Sequence, residues 1–175
     1  DAMVGYIPDK EQFSFNKKFS LSKDMGRITK RSLLVDNPQN NWIYERVIEA
    51  VHQANAVFFK YDAMIFLPFE VLEYKVGGKF DWHMDSGIAY PYTERLLSII
   101  LFLSERSDYE GGQLEFMPKL KHSLTFEQGH IMIFPSHIVH RVSPVTKGMR
   151  RSIVTWGYKD GTAFANQNPS LNQGK

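Results

Sequence analysis

The segment Phe80-Asp81-Trp82-His83-Met84-Asp85 carries a histidine and an aspartate two residues apart in a stretch that reads as a β-strand. Period-2 alternation sends both side chains to the same face, so an imidazole and a carboxylate stand side by side. A further nitrogen donor comes from Ile138-Val139-His140-Arg141-Val142, the middle of another predicted strand. Two imidazoles and one carboxylate can cap one face of an octahedral iron(II) and leave three positions open. The chain has no cysteine, which excludes a disulfide frame, a thiolate metal site and a thiol nucleophile. His83, Asp85 and His140 are therefore the expected metal ligands.

Beyond His140, the predicted strand Arg150-Arg151-Ser152-Ile153-Val154-Thr155-Trp156 puts Arg150, Ser152, Val154 and Trp156 on one face. An inward guanidinium is costly unless it is paired. Its planar fork matches a carboxylate through two parallel hydrogen bonds, so a dicarboxylic acid cosubstrate is the expected partner, with the small Ser152 leaving space for it. Alternation turns the neighbouring Arg151 outward. His137 follows Pro135-Ser136 at a predicted turn and is a weaker ligand candidate than His140. His52, His122 and His130 have no partner at metal spacing and are expected to be ordinary surface or core-edge histidines. Gly77-Gly78 and Gly111-Gly112 read as turn or bulge glycines, not as a strand-to-helix phosphate loop.

The elements that must position these groups follow from periodicity. Trp42, Ile43, Val47, Ile48 and Val51 recur at helical spacing and predict a helix over 40–54, with Asn40 or Asn41 able to cap it. Arg27 to Val35 reads as a short edge strand with no chemistry assigned to it. After Asn55 the chain is rich in Phe, Tyr, Ile and Val and punctuated by glycine and proline. Strands are expected near 57–61, 65–75, 79–85, 95–104, 112–117, 121–126, 130–134, 138–143 and 149–158. A helix followed by many short strands predicts a sandwich, jelly roll or barrel with the helix on one face.

Composition bounds the rest. The 175 residues are 43% hydrophobic and 14% aromatic against 23% charged, enough to bury a core. One domain over 1–165 is expected, with a flexible polar tail over 166–175. The formal charge is +2 and no dense basic run occurs, so no nucleic-acid partner is expected. The longest apolar run, Leu96 to Leu103, is broken by Ser98 and falls short of the roughly 18 residues that span a bilayer, so no membrane partner is expected. Asp1 stands where an initiator would, which leaves a targeting signal unjudged. Compartment stays open, with the cytoplasm favoured over secretion, and so does oligomeric state.

In five blocks the sequence resembles the Fe(II)- and 2-oxoglutarate-dependent dioxygenases of the prolyl 4-hydroxylase type. The blocks are Tyr74 to Asp85, Arg95 to Ser104, Asp108 to Leu114, Gly129 to Pro135 and His140 to Arg150. The resemblance implies a mainly β fold, a double-stranded β-helix (jelly-roll, cupin-like) core with supporting helices. It implies Fe(II) on His83, Asp85 and His140, 2-oxoglutarate anchored by Arg150, and O2 as the oxidant, with ascorbate as a candidate reductant. By the same carry-over Tyr74 lines the cosubstrate pocket, and Ser98, Leu114, Val142 and Trp156 are pocket-wall positions. Phe102 stands where many relatives have a second tyrosine, which throws more of the anchoring onto Arg150. Phe80 also replaces a tyrosine of collagen-type relatives, so substrate contacts there do not carry over. The intact Asp85 favours hydroxylation over halogenation. A proline-containing peptide or protein is the expected substrate, and Ser86 to Glu94 the expected lid. A hydroxylase of a free amino acid or other small molecule, and a non-catalytic jelly-roll metal-binding module, stand as alternatives.

Overall fold

The computed structural model describes residues 20–22, 26–65, 69–89, 92–118 and 124–159. The predicted tail 166–175, His122 and part of the strand expected over 121–126 lie outside them. The elements are β1 (Ser20–Ser22), β2 (Arg27–Leu33), α1 (Asn41–Ala54), β3 (Met64–Ile65), β4 (Glu70–Tyr74), β5 (Lys79–His83) and β6 (Arg95–Phe102). They continue as β7 (Tyr109–Gly111), β8 (Leu114–Met117), β9 (Ile131–Pro135), β10 (Val139–Val142), β11 (Val145–Gly148) and β12 (Arg150–Tyr158). The main sheet runs β8-β10-β5-β2-β4-β12-β6-β9, and β11 pairs with β7 in a separate two-stranded sheet. Every pairing along that path is antiparallel. This curled antiparallel sheet with one helix is the expected jelly-roll class.

β2 is the strand that bends the sheet. Its first residues, Arg27 and Ile28, pair with β5, while Lys30 to Leu33 pair with β4. It is thus an internal strand joining two halves and not the edge strand that its short alternating pattern suggested, because β1 covers part of it as well.

β6 shows how the halves are filled. Leu97, Ile99 and Leu101 point to the helix side and pack with Ile43, Tyr44, Val47 and Val51 of α1. Ile100 and Phe102 point to the other side and pack with Leu114, Phe116 and Phe134. A strand buried on both faces reads as a continuous apolar run, which is why Leu96 to Leu103 lacks alternation. Ser98 is the exception on the inner face, and it is fully buried. On β12, Ile153 joins the helix-side core, while Arg151 bonds outward to Glu73 at 2.9 Å, as alternation requires.

Two further expectations fail. Residues 57–61 are not a strand: the helical path continues as a π-type turn, Asn55–Phe59, ended by Lys60 at φ 56. The Asn55 side chain closes this turn, donating to Tyr61 O at 2.7 Å and accepting from Tyr61 N–H at 3.0 Å. Local capping outweighs the strand preference of Val57, Phe58 and Phe59. Likewise 124–126 is not strand, although Phe126 stacks on Phe102 with ring centroids 4.2 Å apart. The short pair β7 and β11 had no sequence signal beyond its glycines.

Candidate metal centre

His83 and His140 are direct cross-strand partners on β5 and β10. Opposed residues on one face of an antiparallel pair have Cβ atoms roughly 5 Å apart, so strand register alone brings the two imidazoles together. Asp85 lies past the end of β5. Its backbone N–H and that of Ser86 both donate to Ser136 O, at 3.0 and 3.1 Å, so the turn after β9 fixes where the carboxylate points. Asp85 Oδ1 is 3.5 Å from His83 Nε2, and Oδ2 is 3.7 Å from His140 Nε2. The three donor atoms fall within 4.8 Å of one another. These separations are slightly wider than the ~3 Å edge of an octahedron with bonds of about 2.1 Å.

Each imidazole is oriented by its own strand. His83 Nδ1–H donates to Asp81 O at 2.7 Å, and His140 Nδ1–H donates to Ile138 O at 2.9 Å. With Nδ1 committed, Nε2 carries the free lone pair on both rings. The rings are wedged in place: Phe80 stacks on His83 at 3.5 Å between centroids, and Phe134 meets His140 edge-on at 4.8 Å. Burial pushes the Asp85 carboxyl up, but the bonds and charges of His83, His140 and Ser98 outweigh it and hold it below the ordinary carboxylate range. Burial lowers the His140 pKa, with Asp85 opposing. A neutral imidazole and an ionised carboxylate are the forms that bind a cation.

The cluster opens into a cavity of about 470 Å³. Arg150 lies in its wall at 1% exposure. Its Nη1 donates to Ser152 Oγ at 3.1 Å, while Nε and Nη2 are buried with no hydrogen-bond partner. Gly112 at φ +60 leaves room for this side chain, since a Cβ there would sit 3.1 Å from Arg150 Cδ. Tyr74, directly opposite Arg150 in the β4–β12 ladder, carries its ring 5.3 Å from the guanidinium carbon. Burial raises the Tyr74 pKa, so its hydroxyl keeps its proton. A buried cation with two unsatisfied donors is what a carboxylate ligand would complete. An all nitrogen and oxygen donor set beside it suits iron(II), so the residues present fit both a metal and an acidic cosubstrate.

The sequence expectations map onto this site unevenly. Tyr74, Val142 and Trp156 line the cavity. Ser98 lies beneath it, its hydroxyl donating to Asp85 Oδ2 at 2.6 Å. Leu114 packs with Phe102, Phe116 and Phe134 and lines a neighbouring cavity. Phe102 is buried with its ring 5.1 Å from the Arg150 guanidinium carbon and offers it no hydroxyl. His137 is exposed, and neither it nor His52 nor His130 belongs to the cluster. Sequence reasoning missed Arg27, which lines the cavity from β2 together with Arg31. The alternation Arg27, Thr29, Arg31 was the available signal. Ser136, buried and bonded to Ser98 Oγ at 3.0 Å, had none.

Comparison with known proteins agrees with this geometry. The chain is 28% identical over 148 residues to a PKHD-type hydroxylase of Psychrobacter sp., covering 75% of this chain and 57% of that protein. It is 36% identical over 101 residues to a PKHD-type hydroxylase of Parvibaculum lavamentivorans, covering 51% of this chain and 45% of that protein. The chain thus spans about half the length of these relatives. A Pseudomonas putida prolyl-4-hydroxylase superposes with TM-score 0.64 at 19% identity, covering 83% of this chain and 79% of that one. A prolyl hydroxylase from Trichoplax adhaerens, solved with a hypoxia inducible factor peptide fragment, gives 0.62 at 19% identity, covering 87% and 70%. At such identities the structural likeness speaks for the fold alone. A family model, the 2OG-Fe(II) oxygenase superfamily, matches residues 69–158. That match runs from β4 through β12, takes in His83, Asp85, His140 and Arg150, and covers more than half of the chain, which therefore belongs to the 2OG-Fe(II) oxygenase superfamily.

Proposed function

We propose that this chain is an iron(II)- and 2-oxoglutarate-dependent hydroxylase, with His83, Asp85 and His140 as metal ligands and Arg150 as the cosubstrate anchor. The observation that carries the reading is the buried, half-satisfied Arg150 opening into the same cavity as the His–Asp–His cluster. The family and the donor set both imply iron(II) and 2-oxoglutarate.

The work of the protein's own residues follows from their placement. His83 and His140 turn Nε2 toward the cluster because their Nδ1–H groups are bound to strand carbonyls. Asp85 supplies the negative charge, and Ser98 fixes which oxygen turns inward. Arg150, supported by Ser152, offers two donors to a distal carboxylate. Tyr74, Val142, Val154 and Trp156 enclose the site and exclude water, which strengthens each of these charge interactions. When bound, iron with 2-oxoglutarate and O2 supplies the oxidising power, and a substrate C–H becomes C–OH as succinate and CO2 leave.

For the substrate we favour a proline-containing peptide. The fold likeness to prolyl hydroxylases supports this, as do the exposed apolar side chains of Met84 and Tyr92 in the cavity wall. Residues 86–94, of which 90 and 91 lie outside the described residues, would be the substrate-contacting segment. The test is anaerobic loading with Fe(II) and 2-oxoglutarate, then exposure to O2 with and without proline peptides. Succinate release that rises with peptide, with a 16 Da gain on proline, supports the reading. No succinate from wild-type protein, or equal release from His83→Ala, refutes it.

A further inference from the structure

Arg27 lines the cavity, has no part in the proposed chemistry, and forms an ion pair with no carboxylate among the described residues. Four arginines line that cavity: Arg27, Arg31, Arg95 and Arg150. Arg31 is held by both oxygens of Glu70. Arg95 bonds Tyr158 Oη and Asp85 O at 3.3 Å each and lies 3.6 Å from the Trp156 ring centroid. Arg150 faces the cosubstrate. Arg27 has its guanidinium carbon 4.7 Å from the centroid of Phe80, the ring that stacks on His83, and its buried Nε has no hydrogen-bond partner.

Among the described residues, the carboxylates around β2 are already committed. Glu70 is taken by Arg31, Glu73 by Arg151 and Lys30, and Asp81 by Lys79. Asp85 is held between the two histidines. The cosubstrate would not fill the gap either. In the proposed site Arg150 would take one carboxylate of 2-oxoglutarate and the metal the other. Arg27 reaches the cavity from β2, where its register partner is Phe80 of the ligand strand β5, whereas Arg150 stands on β12 opposite Tyr74. A partly buried guanidinium without a carboxylate partner is unfavourable until an anion reaches it.

Resting on the functional reading above, we propose that Arg27 receives a carboxylate of the primary substrate, so that the molecule oxidised here carries an acidic group close to the reacting carbon. An acidic side chain beside the target residue of a peptide, or the free carboxyl of an amino-acid derivative, meets this requirement. A neutral segment does not. The fork of Arg27 would bind it through charge-assisted hydrogen bonds, with the Phe80 ring holding the guanidinium plane.

The test is a binding measurement that needs no turnover. Protein loaded with Zn(II) and 2-oxoglutarate is titrated calorimetrically with N-acetyl-L-proline, an anion, and with its neutral N-methylamide. Wild-type protein should bind the anion at least tenfold more tightly than the amide. Arg27→Met should erase that preference, Arg27→Lys should keep part of it, and the 2-oxoglutarate affinity of both variants should stay within twofold of wild type. Should Arg27→Met not fold, Arg27→Gln takes its place. The proposal is overturned if wild-type protein shows no preference, including no binding of either probe, or if the preference survives without Arg27. It is also overturned if the Arg27→Met change weakens 2-oxoglutarate tenfold, since Arg27 would then belong to the cosubstrate pocket. Failure of 2-oxoglutarate to bind wild-type protein would sink the functional reading instead, and the same probe pair on Zn(II)-loaded protein would still decide Arg27.

Discussion

The hydroxyl of Ser98, on the inner face of β6, donates to Asp85 Oδ2 at 2.6 Å and ties the metal-facing carboxylate to a strand that is buried on both sides. Ser136 Oγ lies 3.0 Å from the same hydroxyl, so the carboxylate is supported from β6 and from the turn after β9. Partners of this kind orient a metal ligand, and their loss typically weakens metal binding by roughly 10- to 100-fold. Ser98→Ala should therefore lower Mn(II) affinity by about tenfold or more, measured by calorimetry, while thermal unfolding of the metal-free protein stays near that of wild type. An unchanged affinity would show that Asp85 is positioned by its backbone alone.

Arg150 should be a liability until its ligand arrives. It is fully buried with two unsatisfied donors, and leaving such groups unpaired costs on the order of 1–3 kcal/mol each. Arg150→Met should raise the stability of the ligand-free protein by about 1–3 kcal/mol in urea denaturation. The same change should abolish stabilisation by 2-oxoglutarate. Loss of stability in Arg150→Met would mean that the side chain contributes to the empty fold.

Acid should destabilise the metal-free protein in two steps. His140 has a lowered pKa because it is buried, so below about pH 6.5 the unfolded chain takes up a proton that the folded chain does not, and stability falls. Asp85 is held below the usual carboxylate range. Its contribution is therefore full above about pH 4 and is lost as pH drops further. Urea midpoints should decline from pH 7 to 5, and Asp85→Asn should remove the additional loss below pH 4. A midpoint that is flat from pH 7 to 5 would contradict the burial of His140.

At the alkaline end the relevant group is Tyr44 of α1. Its hydroxyl donates to Leu34 O at 2.6 Å, and burial pushes its pKa up to about 12. A raised pKa means that the contribution is complete below pH 10 and is lost as pH rises toward 12. Tyr44→Phe should cost roughly 1–2 kcal/mol at pH 8, because the buried Leu34 carbonyl loses its donor. The difference from wild type should shrink at pH 11.

The site was legible in the sequence to the extent that it depends on alternation within one strand. The inward set Arg150, Ser152, Val154 and Trp156 follows from period 2 alone, whereas Asp85 lies beyond the end of β5 and is set by the Ser136 carbonyl. What alternation cannot give is which strands become neighbours. β2 read as an edge because its run is short, yet it joins both halves of the sheet and brings Arg27 to the cavity. Ser98 was expected in the pocket wall, but it lies beneath the cavity and its contact with Asp85 depends on a turn after β9 that has no local signature. The misread stretch 57–61 shows the same limit, since Asn55 closes a turn that the β-prone residues do not announce.

The central claim is that the His–Asp–His cluster and Arg150 form one site for 2-oxoglutarate, and anaerobic titration of 2-oxoglutarate into the protein tests it most directly. Wild-type protein loaded with Fe(II) should bind tightly. Metal-free protein, His140→Ala with added Fe(II), and Arg150→Met with Fe(II) should each bind on the order of 100-fold more weakly, the loss expected when a charged pair or a chelated metal is removed from a buried site. Binding that needed neither the metal nor Arg150, or no binding by the wild-type protein, would contradict it.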